Sequence, residues 1–401
     1  MRKLKIVIIL ALVVAIAVPM FSLAGCKAPA ATETTAAAAE TTEAVKLNGT
    51  PINEPKMPVP DNVIGAGNFD GEFSYKFFRD QALTGKFDED YAKDYKLAVT
   101  NLAASVPICT QIVNSIQKYW ELAGGKKDNT LVLDNAFDVN TTIKNGDAVL
   151  AWKPDVFVEY GMDEKTNQMI SKKAQEQKTW VLGLDVTFEN YPFMGGDNWA
   201  NGTISGDFAI KYINEKFGGI ENVDRVYYCW NPEFGEVVSY RMWGARKVMV
   251  DTFGNDVDFL VDGSKAVQVK VTNDFQSPWL DILAKYPNDK NIVVFAPYEA
   301  AAAGMYAAAK TLGRWDADAI LLNSLGGDDL GRPLIRSGIT DSTVGWVPET
   351  YGTYVIPLAL AHMYGNPIPA VTYLQHALLT KDTIEQFYPG ETSLYTEDTA
   401  Q

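Results

Sequence analysis

Pairs of acidic side chains are the first candidates for acid–base chemistry in this sequence. Asp328 is followed directly by Asp329, and Glu233 lies three residues before Glu236. Two carboxyl groups that flank a glycosidic bond can cleave it, one as an acid and the other as a base or nucleophile. However, the chain carries 50 Asp and Glu residues, and we expect most of them on the solvated surface. The sequence contains no G-x-S-x-G or H-E-x-x-H motif, and we predict that the protein is not an enzyme.

Glycine-rich and metal-binding patterns are also incomplete. Gly65-Ala66-Gly67 starts like a dinucleotide fingerprint, but no strand is predicted before it and the third glycine is misplaced. Gly124-Gly125-Lys126 lacks the earlier glycine and the Ser or Thr of a phosphate-binding loop. His362 and His376 are the only histidines, which is too few for a histidine-rich metal site. We therefore predict neither a metal nor a cofactor.

The N-terminus has the pattern of an export signal. Three basic residues precede an apolar run over 6–18, which is shorter than the roughly 20 residues that span a membrane. The run is followed by Leu23-Ala24-Gly25-Cys26, which resembles the lipobox of bacterial lipoproteins. We predict a signal peptide over 1–25 and lipidation of Cys26, with the mature protein anchored on the outer face of the cytoplasmic membrane. Residues 26–47 are rich in Ala, Thr and Glu and are predicted to be a flexible linker.

The charge and length of the mature chain limit its partners and its architecture. The net charge of the full chain is −15, and removal of the three basic residues in 1–25 makes it −18. Nucleic-acid binding requires clustered Lys and Arg, so we predict no nucleic-acid partner. Roughly 350 residues exceed the usual size of one domain, which favours two lobes.

From residue 95 the sequence alternates apolar runs with amphipathic stretches. The predicted strands cover 95–100, 130–134, 156–159, 180–184, 225–229, 267–271, 291–295, 319–322 and 342–347. The predicted helices include 107–122, 164–177, 200–217, 236–251 and 299–312. This alternation predicts an α/β fold with two doubly wound parallel sheets. Ligands of such sheets bind beyond the carboxyl ends of the strands.

Several residues at the predicted strand ends match one family. Asn101 and Asp185 each follow a strand, and a D-N-x-x-x-G segment begins at Asp197. Arg241 is followed by x-x-Gly on the next helix, and 293–305 has the form of a strand-to-helix turn. With these features, residues 95–384 resemble the type I periplasmic sugar-binding proteins, which are solute receptors of ABC importers.

The resemblance implies two lobes, a three-segment hinge near 193, 346 and 375, and closure of the lobes on a small ligand. It also implies that Asn101, Asp185 and Arg241 contact the ligand. The sequence departs from the family pattern at Tyr298, where Asn is usual, and at Trp346, where Gln or Asn is common. The Asp expected after 319–322 is absent, and Asn323, Ser324 and Asp328 are alternatives, of which we select Asn323.

The predicted site residues share a chemistry that suits a sugar or polyol. Carboxylate, amide and guanidinium groups serve hydroxyls, and aromatic rings cover the C–H faces of a sugar. The predicted ligand-binding residues are Asn101, Asp185, Arg241, Tyr298, Asn323 and Trp346. The two aromatic residues also leave a nucleoside or a quaternary amine open as ligand.

The domain prediction follows from this fold. The predicted segments are 1–25 signal peptide, 26–47 linker, 48–92 preamble on lobe 1, 93–194 with 348–374 lobe 1, 195–347 with 375–390 lobe 2, and 391–401 disordered tail. We expect a monomeric, lipid-anchored receptor that delivers its ligand to an ABC permease. The alternatives are a sensing receptor for a chemotaxis or kinase partner and a secreted hydrolase.

Overall fold

The structure, a computed structural model, describes residues 46–47, 50–51, 69–231, 235–272 and 274–396. The predicted signal peptide, Cys26, most of the predicted linker, residues 52–68 and the end of the predicted tail (397–401) lie outside the described residues. The last two residues of the predicted linker differ from the prediction. Lys46–Leu47 forms a strand (β1) that pairs antiparallel with Thr50–Pro51 (β2). Asn and Gly, which favour tight hairpins, separate the two strands in the sequence.

In the part of the chain that the structure describes, twelve further strands and eleven α-helices follow in chain order. The strands are β3 Leu97–Asn101, β4 Thr130–Asp134, β5 Val156–Glu159, β6 Val181–Leu184, β7 Phe193–Gly195, β8 Arg225–Trp230, β9 Ala266–Lys270, β10 Ile292–Phe295, β11 Ile320–Gly326, β12 Ser342–Gly345, β13 Val371–Tyr373 and β14 Ala377–Leu379. The helices are α1 Tyr75–Leu83, α2 Pro107–Leu122, α3 Val139–Trp152, α4 Glu164–Gln177, α5 Asn198–Tyr212, α6 Gly235–Phe253, α7 Ser277–Lys285, α8 Glu299–Thr311, α9 Gly331–Arg336, α10 Gly352–Met363 and α11 Ile384–Phe387.

The strands after β2 form two six-stranded sheets. The first has the order β13-β7-β6-β5-β3-β4 and is entirely parallel. The second has the order β14-β12-β11-β10-β8-β9 and is parallel except for β14, which runs antiparallel to β12. We call the first sheet with its helices lobe 1 and the second sheet with its helices lobe 2. The predicted fold class, two doubly wound parallel sheets, is confirmed.

Three short strands were not predicted, and one strand is longer than expected. β7, β13 and β14 have three residues each, too few for a recognisable pattern. β11 continues to Gly326, although Asn323 and Ser324 suggested that it ends at 322. The polar side chains fit inside the sheet because neighbouring strands satisfy them. Ser342 Oγ donates to Asn323 Oδ1 at 2.7 Å, and Asn323 Nδ2 donates to the carbonyl of Val294 at 3.3 Å.

Polar caps and apolar faces explain where the helices begin and how they pack. The carboxylates of Asp138, Asp163 and Asp197 accept hydrogen bonds from backbone N–H groups in the first turns of α3, α4 and α5. α2 begins with Pro107, a residue that tolerates the first turn of a helix. Its buried face includes Cys109, Ile112, Ile116 and Trp120, at helical spacing.

The described part of the predicted preamble packs against α10. The guanidinium of Arg79 in α1 donates to the carbonyl of Thr353 at 2.7 Å and lies 3.5 Å from the ring centroid of Tyr354. Phe73 stacks on Tyr364, with ring centroids 4.9 Å apart. Residues 69–92 therefore extend the apolar core of lobe 1.

The chain passes between the two sheets three times. The first crossover is 196–197, between β7 and α5, and the second is 346–351, between β12 and α10. The third is 374–376, between β13 and β14. The carboxyl ends of the strands in both sheets lead towards these crossovers, and the predicted ligand-binding residues are concentrated there.

Candidate ligand-binding cleft

Arg241 in α6 occupies a partly buried position next to the second crossover. Its Nε donates to Asn198 Oδ1 at 2.7 Å, and its Nη1 donates to the carbonyl of Pro297 at 2.6 Å. The guanidinium carbon lies 4.6 Å from the ring centroid of Trp346, in the second crossover. Burial lowers the pKa of Arg241, and the negative charge of Asp185 opposes this effect. The guanidinium is thus oriented by lobe 2 and placed against an aromatic ring of the crossover.

Close packing of α5 on α6 sets the position of Arg241. A Cβ atom on Gly202 would lie 2.1 Å from the carbonyl oxygen of Arg241, and a Cβ atom on Gly244 would lie 2.2 Å from the carbonyl oxygen of Trp199. Both positions therefore require glycine. These two glycines end the D-N-x-x-x-G and R-x-x-G patterns in the sequence, which thus carry information about helix packing as well as ligand contact.

Asp185 lies directly after β6, on the side of lobe 1. Its backbone is left-handed, with φ of 57°, and its Oδ1 accepts a hydrogen bond from the N–H of Gly196 at 3.1 Å. The hydroxyl of Tyr351 lies 3.0 and 3.1 Å from the two carboxylate oxygens. Burial raises the pKa of Asp185 to about 6, while these donors and the charge of Arg241 act in the opposite direction. A buried carboxylate beside a guanidinium is suited to bind ligand hydroxyl groups.

Three buried groups that were not among the selected residues complete this cluster. The hydroxyl of Tyr160, after β5, interacts with Asp185 and lies 3.7 Å from the sulfur of Cys109. Tyr351 is the last residue of the second crossover, directly before α10, and His376 lies in the third crossover. Tyr160 follows a predicted strand in the sequence, but so do several other aromatic residues, and nothing singles it out. Tyr351 and His376 are not recognisable from the sequence, because neither directly follows a predicted strand.

His376 and Trp346 connect the crossovers to one another. His376 Nε2 accepts a hydrogen bond from the N–H of Asp197 at 3.1 Å, and its ring centroid lies 6.2 Å from that of Trp346. Burial, together with the charge of Arg241, lowers the pKa of His376 to about 3, so the imidazole is neutral at physiological pH. A Cβ atom on Gly196 would lie 2.8 Å from the Trp346 ring. All three crossovers therefore meet at these two rings.

Asn101 and Tyr298, two further selected residues, lie on opposite lobes. Asn101 is the last residue of β3 and is buried, and its Oδ1 has no hydrogen-bond partner among the residues that the structure describes. Tyr298 precedes α8, and its hydroxyl accepts a hydrogen bond from Asn231 Nδ2 at 2.8 Å. Its ring is in edge-to-face contact with Phe275, with centroids 5.7 Å apart.

The structure separates Asn323 from the other selected residues. Because β11 continues for three residues beyond it, Asn323 lies inside the sheet, where both ends of its amide are hydrogen-bonded. Ser324 is paired with the hydroxyl of Thr343. Asp328 is the alternative that follows the strand, and its carboxylate accepts hydrogen bonds from the N–H groups of Leu330 and Gly331.

A buried pair of carboxylates lies at this end of β11. Glu299 Oε1 accepts hydrogen bonds from the N–H of Gly327 at 2.5 Å and from the hydroxyl of Thr343 at 3.2 Å. Burial and the nearby charge of Asp328 raise the pKa of Glu299 well above its usual range. Through these hydrogen bonds Glu299 supports the turn that carries Asp328.

One hydrogen bond joins α2 of lobe 1 to the segment after β11 of lobe 2. Gln111 Nε2 in α2 donates to Asp329 Oδ1 at 2.8 Å, and Asp329 also pairs with Arg332. The acidic pair Asp328-Asp329 is thus committed to a helix cap and to this contact rather than arranged as an acid and a base. The side chains of Glu233 and Glu236 lie outside the described residues.

Metal binding and membrane insertion can be examined over the described ranges. Within residues 69–231, 235–272 and 274–396, no three His, Cys, Asp or Glu side chains come together as a metal site would require. The helices in the part of the chain that the structure covers are all too short or too polar to cross a bilayer.

Two α/β lobes, three crossovers and a polar cluster where the lobes meet define a two-lobed binding protein. The model of the family described as periplasmic binding protein domain matches residues 97–367. The chain therefore belongs to the periplasmic binding protein family. A search of curated proteins finds no match to this chain.

Solved structures of binding proteins share the fold at low sequence identity. A periplasmic solute-binding protein of an ABC transporter from Actinobacillus succinogenes 130z, with bound D-allose, is 18% identical at a TM-score of 0.59, covering 72% of this chain and 99% of that chain. The Caulobacter myo-inositol binding protein is 17% identical at a TM-score of 0.61, covering 75% and 97%. The arabinose transporter binding protein from Shewanella sp. ANA-3 is 15% identical at a TM-score of 0.61, covering 73% and 94%.

Proposed function

We propose that this chain is a lipid-anchored solute receptor of an ABC importer, which captures a sugar or polyol between its two lobes and delivers it to a membrane permease. The observation that carries the proposal is the cluster of Asp185, Arg241 and Trp346 at the crossovers, in which Asp185 and Trp346 are buried and Arg241 is partly buried. It combines an acceptor, a planar donor and an aromatic face, which together suit the edge and the faces of a sugar ring.

Closure of the two lobes on a ligand explains why a receptor needs binding side chains on both lobes. Arg241 is held by lobe 2, whereas Asp185 is held by lobe 1 and by Tyr351. A ligand that binds both side chains favours the closed form over the open one, and a permease can recognise the closed form. Exclusion of water from the closed cleft strengthens each polar contact.

The ligands of the structural relatives make a sugar or a cyclic polyol the first choice. D-allose, myo-inositol and L-arabinofuranose are bound by the three relatives described above. A thermal-shift screen of the mature chain against sugars, polyols, nucleosides and quaternary amines tests the ligand class. We expect a concentration-dependent rise in melting temperature with a sugar or polyol. A rise with nucleosides or amines alone would contradict the proposal.

The lipid anchor and export are separate parts of the proposal. They rest on the basic N-terminus, the apolar run over 6–18 and the lipobox-like Leu23-Ala24-Gly25-Cys26. In a bacterial host fed labelled palmitate, we expect the wild-type chain to carry label in the membrane fraction and the Cys26→Ala variant to carry none. Equal labelling of the two chains would refute lipidation at Cys26.

A further inference from the structure

A groove on lobe 2, which we call the α5 groove, adjoins the crossovers at His376. It extends along α5, between this helix and residues 378–383 at the end of β14, and has a volume of about 920 Å³. Gly338, Thr340 and Asp341, from the loop before β12, also line it. Asp185, Arg241 and Trp346 do not line it, so the α5 groove is a separate candidate site.

Two residues that line the α5 groove each have a buried polar atom without a hydrogen-bond partner among the described residues. These atoms are Thr340 Oγ1 and His376 Nδ1, and both side chains are almost completely buried. Because Nε2 of the neutral His376 accepts from the N–H of Asp197, Nδ1 carries the hydrogen and is a donor. Buried polar groups in proteins are normally hydrogen-bonded, to water or a ligand if not to protein. The two groups offer a donor and a hydroxyl to such a partner.

Aromatic side chains line the same groove along the helix. The Trp199 side chain is 44% exposed, so much of its ring is available to a ligand. Phe208 stacks on Tyr212 further along α5, with ring centroids 4.8 Å apart. At a rise of about 1.5 Å per residue, Trp199 and Tyr212 are about 20 Å apart along the helix. The groove is therefore longer than a single sugar ring.

The charged residues of the α5 groove argue against an anionic ligand. Four acidic and two basic side chains line it, namely Asp197, Asp207, Asp341, Asp382, Lys211 and Lys381. Asp197 caps α5 and Asp341 pairs with Lys216 at 3.4 Å, so neither is a strong attractor for a cation. An uncharged, hydroxyl-rich ligand fits this balance better than a phosphate or a polyamine.

We propose that the α5 groove is a second saccharide site, which binds an uncharged oligosaccharide of two or three rings. Aromatic faces bind the C–H faces of the rings, while Thr340 and His376 bind hydroxyl groups at the inner side. The two sites share His376 but none of Asp185, Arg241 and Trp346, so the proposal does not depend on which ligand the cleft binds.

Saturation-transfer NMR on the mature chain tests the proposal with maltotriose, cellotriose, xylotriose and chitotriose as probes. We expect saturable binding of at least one trisaccharide, which Trp199→Ala and Thr340→Val each weaken at least fivefold. Thr340→Val keeps the shape of the side chain and removes the hydroxyl. Leu260→Ala, which changes an exposed apolar residue elsewhere on lobe 2, is the matched control and should leave binding unchanged. Thermal unfolding of each variant confirms that it is folded.

The same experiment on Arg241→Ala separates the groove from the cleft. Retention of trisaccharide binding in Arg241→Ala supports the second site, whether or not the cleft binds a sugar. Loss of binding in Arg241→Ala, with retention in Trp199→Ala, would place the trisaccharide in the cleft and overturn the proposal. The proposal would also be overturned if none of the four trisaccharides binds. It would equally be overturned if spermidine, added as a cationic probe, is the only compound that binds.

Discussion

Lobe 1 presents its polar side chains to the cleft from strand ends, whereas lobe 2 presents its main polar side chain, Arg241, from a helix. Asn101 ends β3 and Asp185 follows β6, but Arg241 projects from α6 and is held by Asn198 and the carbonyl of Pro297. The lobes also differ in charge, since the carboxylate belongs to lobe 1 and the guanidinium to lobe 2. Each lobe thus contributes a half-site of opposite charge, and both halves approach at the crossovers.

The largest effect expected is the loss of either charged half. Asp185→Ala and Arg241→Ala should each weaken ligand binding about 100-fold or more, because each variant loses the charged hydrogen bonds that the side chain makes to the ligand. Isothermal titration with the ligand found by thermal shift measures this effect. Arg246→Ala is the matched control, since Arg246 lies on the same helix but pairs with Asp258. Unchanged affinity in both cleft variants would refute the assignment of the site.

Lobe 1 contains a second buried carboxylate that should make its stability depend on pH. Burial raises the pKa of Glu159 to about 8, and the side chain accepts a hydrogen bond from Thr100 Oγ1 at 2.6 Å. Because the folded state holds this proton more tightly than the unfolded state, the stabilisation is present at low pH and is lost as pH rises to about 8.

Glu159→Gln should remove this pH dependence. Between pH 5 and pH 8.5, the free energy of unfolding of the wild type should fall by on the order of 3 kcal/mol more than that of the variant. Chemical denaturation at the two pH values measures the difference, and Glu176→Gln, at an exposed position in lobe 1, is the control. Parallel pH profiles for wild type and Glu159→Gln would show that Glu159 is not protonated in the folded state.

The contact between Gln111 and Asp329 tests whether the lobes are also held together outside the crossover segments. Loss of one hydrogen bond costs about 1 kcal/mol, so Gln111→Ala should speed ligand release about fivefold. Stopped-flow fluorescence measures the release rate, with Gln117→Ala on the same helix as control. An identical release rate in Gln111→Ala and wild type would mean that this bond does not stabilise the closed form.

Asn323→Ala should have the smallest effect on binding. The Asn323 side chain lies inside the sheet of lobe 2, and its removal leaves the hydroxyl of Ser342 without a hydrogen-bond acceptor. We expect the free energy of unfolding to fall by about 1–3 kcal/mol, with ligand affinity changed less than twofold. Urea denaturation and titration of the same variant measure both quantities. A strong loss of affinity without loss of stability would place Asn323 in the cleft after all.

The sequence predicted lobe 1 of the site better than lobe 2 for a physical reason. Asn101 ends β3 and Asp185 follows β6, and the apolar residues at the start of each strand make the strand ends visible in the sequence. In β11 of lobe 2 the polar residues Asn323 and Ser324 look like the start of a loop, although their hydrogen-bond partners lie on neighbouring strands. Partners that are distant in sequence cannot be inferred from local patterns.

The two-lobe fold was predictable because alternating strands and helices leave few arrangements open. The contacts at the crossovers were not. Tyr351 and His376 owe their positions to helix starts and three-residue strands, which have no distinct sequence pattern. Arg241 could be predicted only through the family resemblance, because its position depends on the close packing of α5 and α6.

A crystal structure of the mature chain with the ligand that most raises its melting temperature tests the central claim most directly. We predict a single sugar or polyol between the lobes, with hydroxyl groups within hydrogen-bond distance of the Asp185 carboxylate and the Arg241 guanidinium. A ligand bound outside the cleft, with Asp185 and Arg241 contacting only each other and their protein partners, would contradict the account.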